Sequence, residues 1–89
     1  MSLRNVLLDD KIAAAYGVNE GIVYAALSAC NDAEATFCDI TSALDWVLNQ
    51  NQVRHALRKM EKGGVVLSYR KDESDFDRTK TYRAVRANG

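Results

Sequence analysis

The sequence predicts one small α+β domain, with helices leading and a β-hairpin closing it. Three observations carry that prediction. The chain has 89 residues, 47% of them apolar, enough for one core and far below the roughly 250 residues at which chains divide into domains. Its apolar residues recur at helical spacing as far as Lys62 and at strand-like spacing after Gly64. Proline is absent and no repeat or low-complexity stretch intervenes, so residues 1–89 are expected to form a single domain without a linker.

The elements follow in order. A first helix over about 10–16 starts at Asp10, runs through Ile12-Ala13-Ala14-Ala15-Tyr16 and stops at Gly17, a residue suited to a left-handed terminator. A second, over about 20–30, begins after Asn19 as N-cap and carries the stripe Ile22, Val23, Ala26, Leu27 and Cys30. Asn31-Asp32-Ala33-Glu34 breaks that period and reads as a loop. Ala35-Thr36-Phe37-Cys38 leans toward a short strand anchored by Phe37. A third helix over about 40–47 follows, capped by Asp39, with Ile40, Ala43, Leu44, Val47 and Leu48 on one buried face. Trp46 is expected to join that core. Asn49 restarts the count as an N-cap, with Gln52 placed for a capping box.

The fourth helix, over about 50–62, repeats the spacing in Val53, Ala56, Leu57 and Met60. Lys59 and Lys62 suit its last turn, where the helix dipole favours cations, and Gly63-Gly64 ends it. Strands over about 65–71 and 79–85 then form the hairpin. The first presents Val, Leu and Tyr on one face, and the polar turn 72–77 between them carries Phe76.

Composition narrows the function. Twelve basic and twelve acidic residues give zero net charge, which excludes a uniformly basic coat around nucleic acid. The balance conceals a division: residues 1–53 hold two basic side chains against seven acidic, net −5, and residues 54–89 hold ten against five, net +5. Such asymmetry points to an acidic partner for the C-terminal half, or to two halves that attract each other. No run approaches ~18 apolar residues and no signal-peptide pattern leads the chain, so no membrane association is expected and the cytoplasm is the expected compartment.

Cys30, Cys38 and His55 offer at most three soft ligands, one short of a structural zinc site. The cysteines are expected as small buried apolar residues, with a disulfide closing one loop as the alternative. Gly-rich phosphate loops, GxSxG and HExxH are all missing. The chain is therefore expected to be no enzyme and to use no metal or cofactor. A Cys–His dyad with His55 would need the fold to assemble it.

Two helices joined only by residues around Leu48-Asn49-Gln50 make a helix-turn-helix candidate, and the following hairpin makes it a winged one. Ala56-Leu57-Arg58-Lys59-Met60-Glu61-Lys62-Gly63-Gly64-Val65-Val66 resembles the winged-helix signature in which a helix ends "aL-x-x-L-x-x-x-G-h-h". Arg78-Thr79-Lys80-Thr81-Tyr82-Arg83-Ala84-Val85 resembles the returning wing strand, with Tyr82 as its inward aromatic. This resemblance covers about residues 36–86. Upstream, Tyr16-Gly17-Val18-Asn19-Glu20-Gly21-Ile22-Val23 is similar to a "G-h-N-E-A-h-h" segment of phage and mobile-element replication and regulatory proteins, with Gly21 in place of the common alanine. The resemblance implies a winged helix-turn-helix that binds double-stranded DNA in transcriptional or replication control of a phage-like or prokaryotic element. The chain would be such a regulator itself or a domain of a larger one.

In a DNA-binding winged helix the second helix of the motif enters the major groove. Burying Val53, Ala56, Leu57 and Met60 turns Gln50, Asn51, Arg54, His55 and Arg58 outward, with no carboxylate on that face before Glu61. Arg can take guanine O6 and N7, and Asn or Gln adenine N6 and N7, so an Arg54→Ala change is expected to act at one base position. Arg70, Lys71, Arg78 and Lys80 on the wing suit phosphates. The four acids of 72–77 are expected to keep the wing tip off DNA, or to let Phe76 touch a second protomer. Val6-Leu7-Leu8 would close the core or serve a homodimer, which paired half-sites favour. The competing function class is a winged helix used for protein interaction. The acidic tip, the zero charge and the acidic N-terminal half support it, and salt dependence separates the two.

Overall fold

Val18–Ser28 carries apolar residues around most of its circumference, and a helix of that kind belongs in the middle of a domain. In the computed structural model, which describes residues 8–70 and 80–85, it does. The elements are α1 (Asp10–Tyr16), α2 (Val18–Ser28), a 3-10 turn (Asn31–Ala33), β1 (Glu34–Thr36), α3 (Phe37–Leu44), α4 (Gln50–Lys62), β2 (Val66–Tyr69) and β3 (Thr81–Ala84). Helix α2 packs against α1, α3, α4 and β3. The wholly buried side chains Val23, Leu27, Val53, Leu57, Met60 and Val66 come from α2, α4 and β2. Tyr24 of α2 donates its hydroxyl hydrogen bond to the Val85 carbonyl (2.8 Å) and so holds the end of β3. The architecture is α+β, four helices followed by a paired strand couple, consistent with a winged-helix layout.

The sheet is antiparallel in the order β1-β3-β2, with Thr36 opposite Thr81 and Val66 opposite Ala84. Its buried face carries Val66, Tyr82 and Ala84. The first wing strand is therefore shorter than 65–71 and opposite in phase to the expectation, since Leu67 is 53% exposed and Tyr69 37%. The reason lies one residue upstream. Val65 belongs to the turn that ends α4, its N–H donating to the Met60 carbonyl (3.1 Å). Val66 therefore opens the strand and takes the core side. The expected second strand, 79–85, is ordered as β3 over Thr81–Ala84, and Thr79 lies outside the described residues.

Helix α1 matches its expected bounds, but α2 begins before Asn19 and ends before Cys30. Gly17 closes one helix and opens the next: its N–H donates to the Ala13 carbonyl (2.9 Å), and its own carbonyl accepts from Gly21 N–H (3.0 Å). That double duty leaves no place for Asn19 as a cap. Gly17 takes φ 132, ψ 165, an extended positive-φ conformation and not the left-handed helical one, in a region essentially reserved for glycine.

Helix α3 starts at Phe37, three residues ahead of expectation. Thr36 ends the strand and becomes the cap, accepting from Asp39 N–H (3.1 Å) while Asp39 accepts from Thr36 N–H (3.4 Å). Asp39 thus completes a capping box from inside the helix. The helix stops at Leu44, and a turn continues it, with Val47 and Leu48 N–H both donating to the Leu44 carbonyl. The apolar period outlasts the helix because that turn keeps Leu48 buried.

Thr41, not Ala43, fills the buried face, its hydroxyl satisfied by the Cys38 carbonyl (3.0 Å). Trp46 stays outside the core, 44% exposed, and donates its indole N–H to the Ala43 carbonyl (3.1 Å). Both cysteines are free thiols, Cys30 half-buried in the turn after α2 and Cys38 exposed.

Helix α4 has the predicted bounds and the predicted caps. Gln52 N–H donates to Asn49 Oδ1 (2.8 Å) and Asn49 N–H donates to Gln52 Oε1 (2.9 Å). Lys59 in its last turn donates to the Tyr16 carbonyl, tying the end of α1 to the end of α4. Asn49→Ala removes the cap from an exposed position and is expected to lower stability by about 1 kcal/mol, read as a shift in the urea midpoint. An unchanged midpoint would mean that the box contributes nothing.

Candidate nucleic-acid interface

A helix with one buried line has one exposed crest and two flanks, and the residues of α4 sort accordingly. Val53, Ala56, Leu57 and Met60 face the core. Opposite them, at spacings of four, three and four, stand the exposed Asn51, His55, Arg58 and Lys62. Gln50, Arg54 and Glu61 lie on the flank turned toward α3 and β3, and Gln52 and Lys59 on the flank turned toward α1.

The flank facing β3 is where side chains from separate elements meet. Arg54 lies over the Phe37 ring, its guanidinium carbon 5.1 Å from the centroid, and its Nη1 donates a long hydrogen bond to Asn51 Oδ1 (3.4 Å). Phe37, 4% exposed, is fixed in turn because its N–H donates to the Lys80 carbonyl (3.1 Å). Lys80 places its ammonium 6.0 Å from the Tyr82 centroid. Between these walls is a cleft of about 90 Å³ lined by Phe37, Arg54, Arg58, Glu61, Lys80 and Tyr82. Among the described residues, three cations therefore share the cleft with one carboxylate, and that carboxylate accepts a hydrogen bond from the Ser68 hydroxyl.

Of the residues expected to contact DNA, Arg54, Arg58 and Lys80 are brought together here. Asn51 and His55 are exposed along the crest, and Gln50 lines a separate depression at the α3–α4 turn with Asp45 and Asn49. Arg70 is exposed just past the end of β2, away from the lining of the cleft. Lys71, Arg78, the acidic tip 72–77 with Phe76, and Val6-Leu7 lie outside the described residues. Leu8 is described and exposed.

Sequence reasoning did not place Phe37, Tyr82 and Glu61 in the site. The signal for Tyr82 was present in the strand alternation, which sets Lys80 and Tyr82 on one side of β3. Phe37 was hidden by its assignment to a strand. Among the described residues, no group of three His, Cys, Asp or Glu could hold a metal ion, and no helix is long and apolar enough to cross a membrane. No family model, curated protein or solved structure matches the chain.

Proposed function

We propose that this chain binds double-stranded DNA, with the N-terminal part of α4 in the major groove and the wing against the backbone. The carrying observation is the convergence of Arg54 and Arg58 from α4 with Lys80 from the wing in one cleft, beside the exposed Gln50, Asn51 and His55. Phosphates supply most of the affinity in such an interface and base edges the selectivity. The winged-helix likeness favours a cytoplasmic regulator of transcription or replication in a phage-like or prokaryotic element, acting as a homodimer on paired half-sites.

The test is fluorescence anisotropy with labelled mixed-sequence duplexes at several salt concentrations. Each neutralised phosphate contributes about −0.9 to the slope of log affinity on log salt, so binding that rests on phosphate contacts falls as salt rises. Absence of binding to every duplex at low salt overturns the proposal. The second reading, a protein-interaction module, draws on the exposed Leu67 and Tyr69 on the outer face of the sheet. It is favoured if duplexes fail and a partner protein shields those two residues.

A further inference from the structure

We infer that the cleft between α4 and β3 is a seat for a single phosphate, so that Arg54 and Lys80, joined by Arg58, grip the DNA backbone while base reading falls to Asn51 and His55. This rests on the duplex-binding reading and changes the division of labour within it. By residue type alone, Arg54 is the strongest base reader on the helix. Its position says otherwise. It lies on the flank of α4, off the exposed crest that Asn51 and His55 occupy, with its guanidinium over the Phe37 ring.

A guanidinium laid on an aromatic face can still donate from its edge, and apart from the long Nη1 bond to Asn51 Oδ1 (3.4 Å) the Arg54 fork matches the oxygens of a phosphate. Lys80 brings a compact charge from the opposite wall. Among the described residues, Glu61 is the one carboxylate of the cleft, it is engaged by the Ser68 hydroxyl, and the three cations outnumber it. At about 90 Å³ the space is scaled to one phosphate group and not to a nucleoside. The aromatic lining is set before any ligand arrives, because Phe37 and Tyr82 are buried and the Phe37 N–H to Lys80 carbonyl bond holds α3 to β3. Such preorganisation lowers the entropy lost on binding.

The seat would accept a phosphodiester in a duplex or a free phosphate, and the experiment treats them in separate arms. In the first, inorganic phosphate is titrated against chloride at constant ionic strength. The arginine Nε–H resonances and the backbone amides of Phe37 and Tyr82 are followed by NMR in the parent and in Lys80→Ala. Saturable shifts confined to the cleft and lost in Lys80→Ala are expected. Shifts that never saturate, or that chloride reproduces, overturn the seat.

In the second arm, Arg54→Ala, Lys80→Ala and Asn51→Ala are compared on duplexes of different sequence. Arg54→Ala and Lys80→Ala are each expected to weaken every duplex by a common factor and, because both hold the same phosphate, to reduce the salt slope by no more than about 1 even when combined, whereas Asn51→Ala reorders the preferences. A reordering by Arg54→Ala overturns the assignment. If the parent binds no duplex, the DNA reading fails by itself. The phosphate arm then still decides, with saturation keeping the seat for another phosphorylated ligand and its absence removing it.

Discussion

Arg54 and Arg58 replaced together by alanine should leave a folded protein that no longer binds duplex DNA at physiological salt. Both side chains are exposed, and the line that α4 buries, Val53, Ala56, Leu57 and Met60, is untouched. Alanine is a strong helix former, so the unfolding midpoint should move by no more than the roughly 0.5 kcal/mol usual for surface changes. Binding is another matter. Charged hydrogen bonds are worth about 1.5–3 kcal/mol each, and losing two weakens binding by at least 3 kcal/mol, roughly a hundredfold. The salt slope should flatten by about 1, since both side chains hold the same phosphate. Anisotropy reads both quantities and thermal unfolding monitors the fold. A variant that binds like its parent would show that α4 does not carry the interface.

Gly21→Ala is expected to destabilise the domain by about 1–2 kcal/mol. A Cβ at Gly21 would stand 2.7 Å from Leu8 Cδ1, 2.8 Å from Ala13 Cβ and 3.0 Å from the Asp9 carbonyl oxygen. Leu8 is exposed and can swing aside. The other two are rigid parts of α1 and its cap, so α1 itself must move. That movement strains the bond from Asp9 N–H to the Gly21 carbonyl (3.1 Å) and disturbs Asp9, which caps α1 by accepting from Ile12 N–H (3.0 Å). Overpacking of this kind typically costs 1–3 kcal/mol, against a gain of up to about 1 kcal/mol from better helix propensity. Urea unfolding decides the sign, and a stabilised variant would mean that α1 and α2 do not approach so closely.

The parts of the fold legible in the sequence are those with local causes. Helix α4 is read to the residue because Asn49, Gln52 and Gly63-Gly64 state its ends in the chain itself. What was misread depends on competition between neighbours. Thr36 and Asp39 are both good caps, and which of them begins α3 is settled by where β1 must stop pairing with β3. Val65 and Val66 are equally strand-like, and the turn after α4 decides which one enters the sheet. The outward residues of α4 followed from spacing alone. Their separation into crest and flank did not, because Phe37 and Lys80 reach the helix only through tertiary structure.

The sheet order β1-β3-β2 has a bearing on how the protein is made. Among the described residues, the strand that comes last, β3, is the central one, and both of its neighbours precede it. Helices α1 to α4 all precede β3 and can form as the chain emerges, whereas pairing Thr36 with Thr81 closes a long loop and must wait for β3. Until residues 81–84 arrive, β1 and β2 each expose an edge with no third strand to cover it, the kind of surface on which chains aggregate. Lys80 and Tyr82 arrive with that same strand. A nascent chain of which only the residues up to Tyr69 have emerged could carry a finished α4 but no cleft beside it, so the cleft is completed only when β3 arrives.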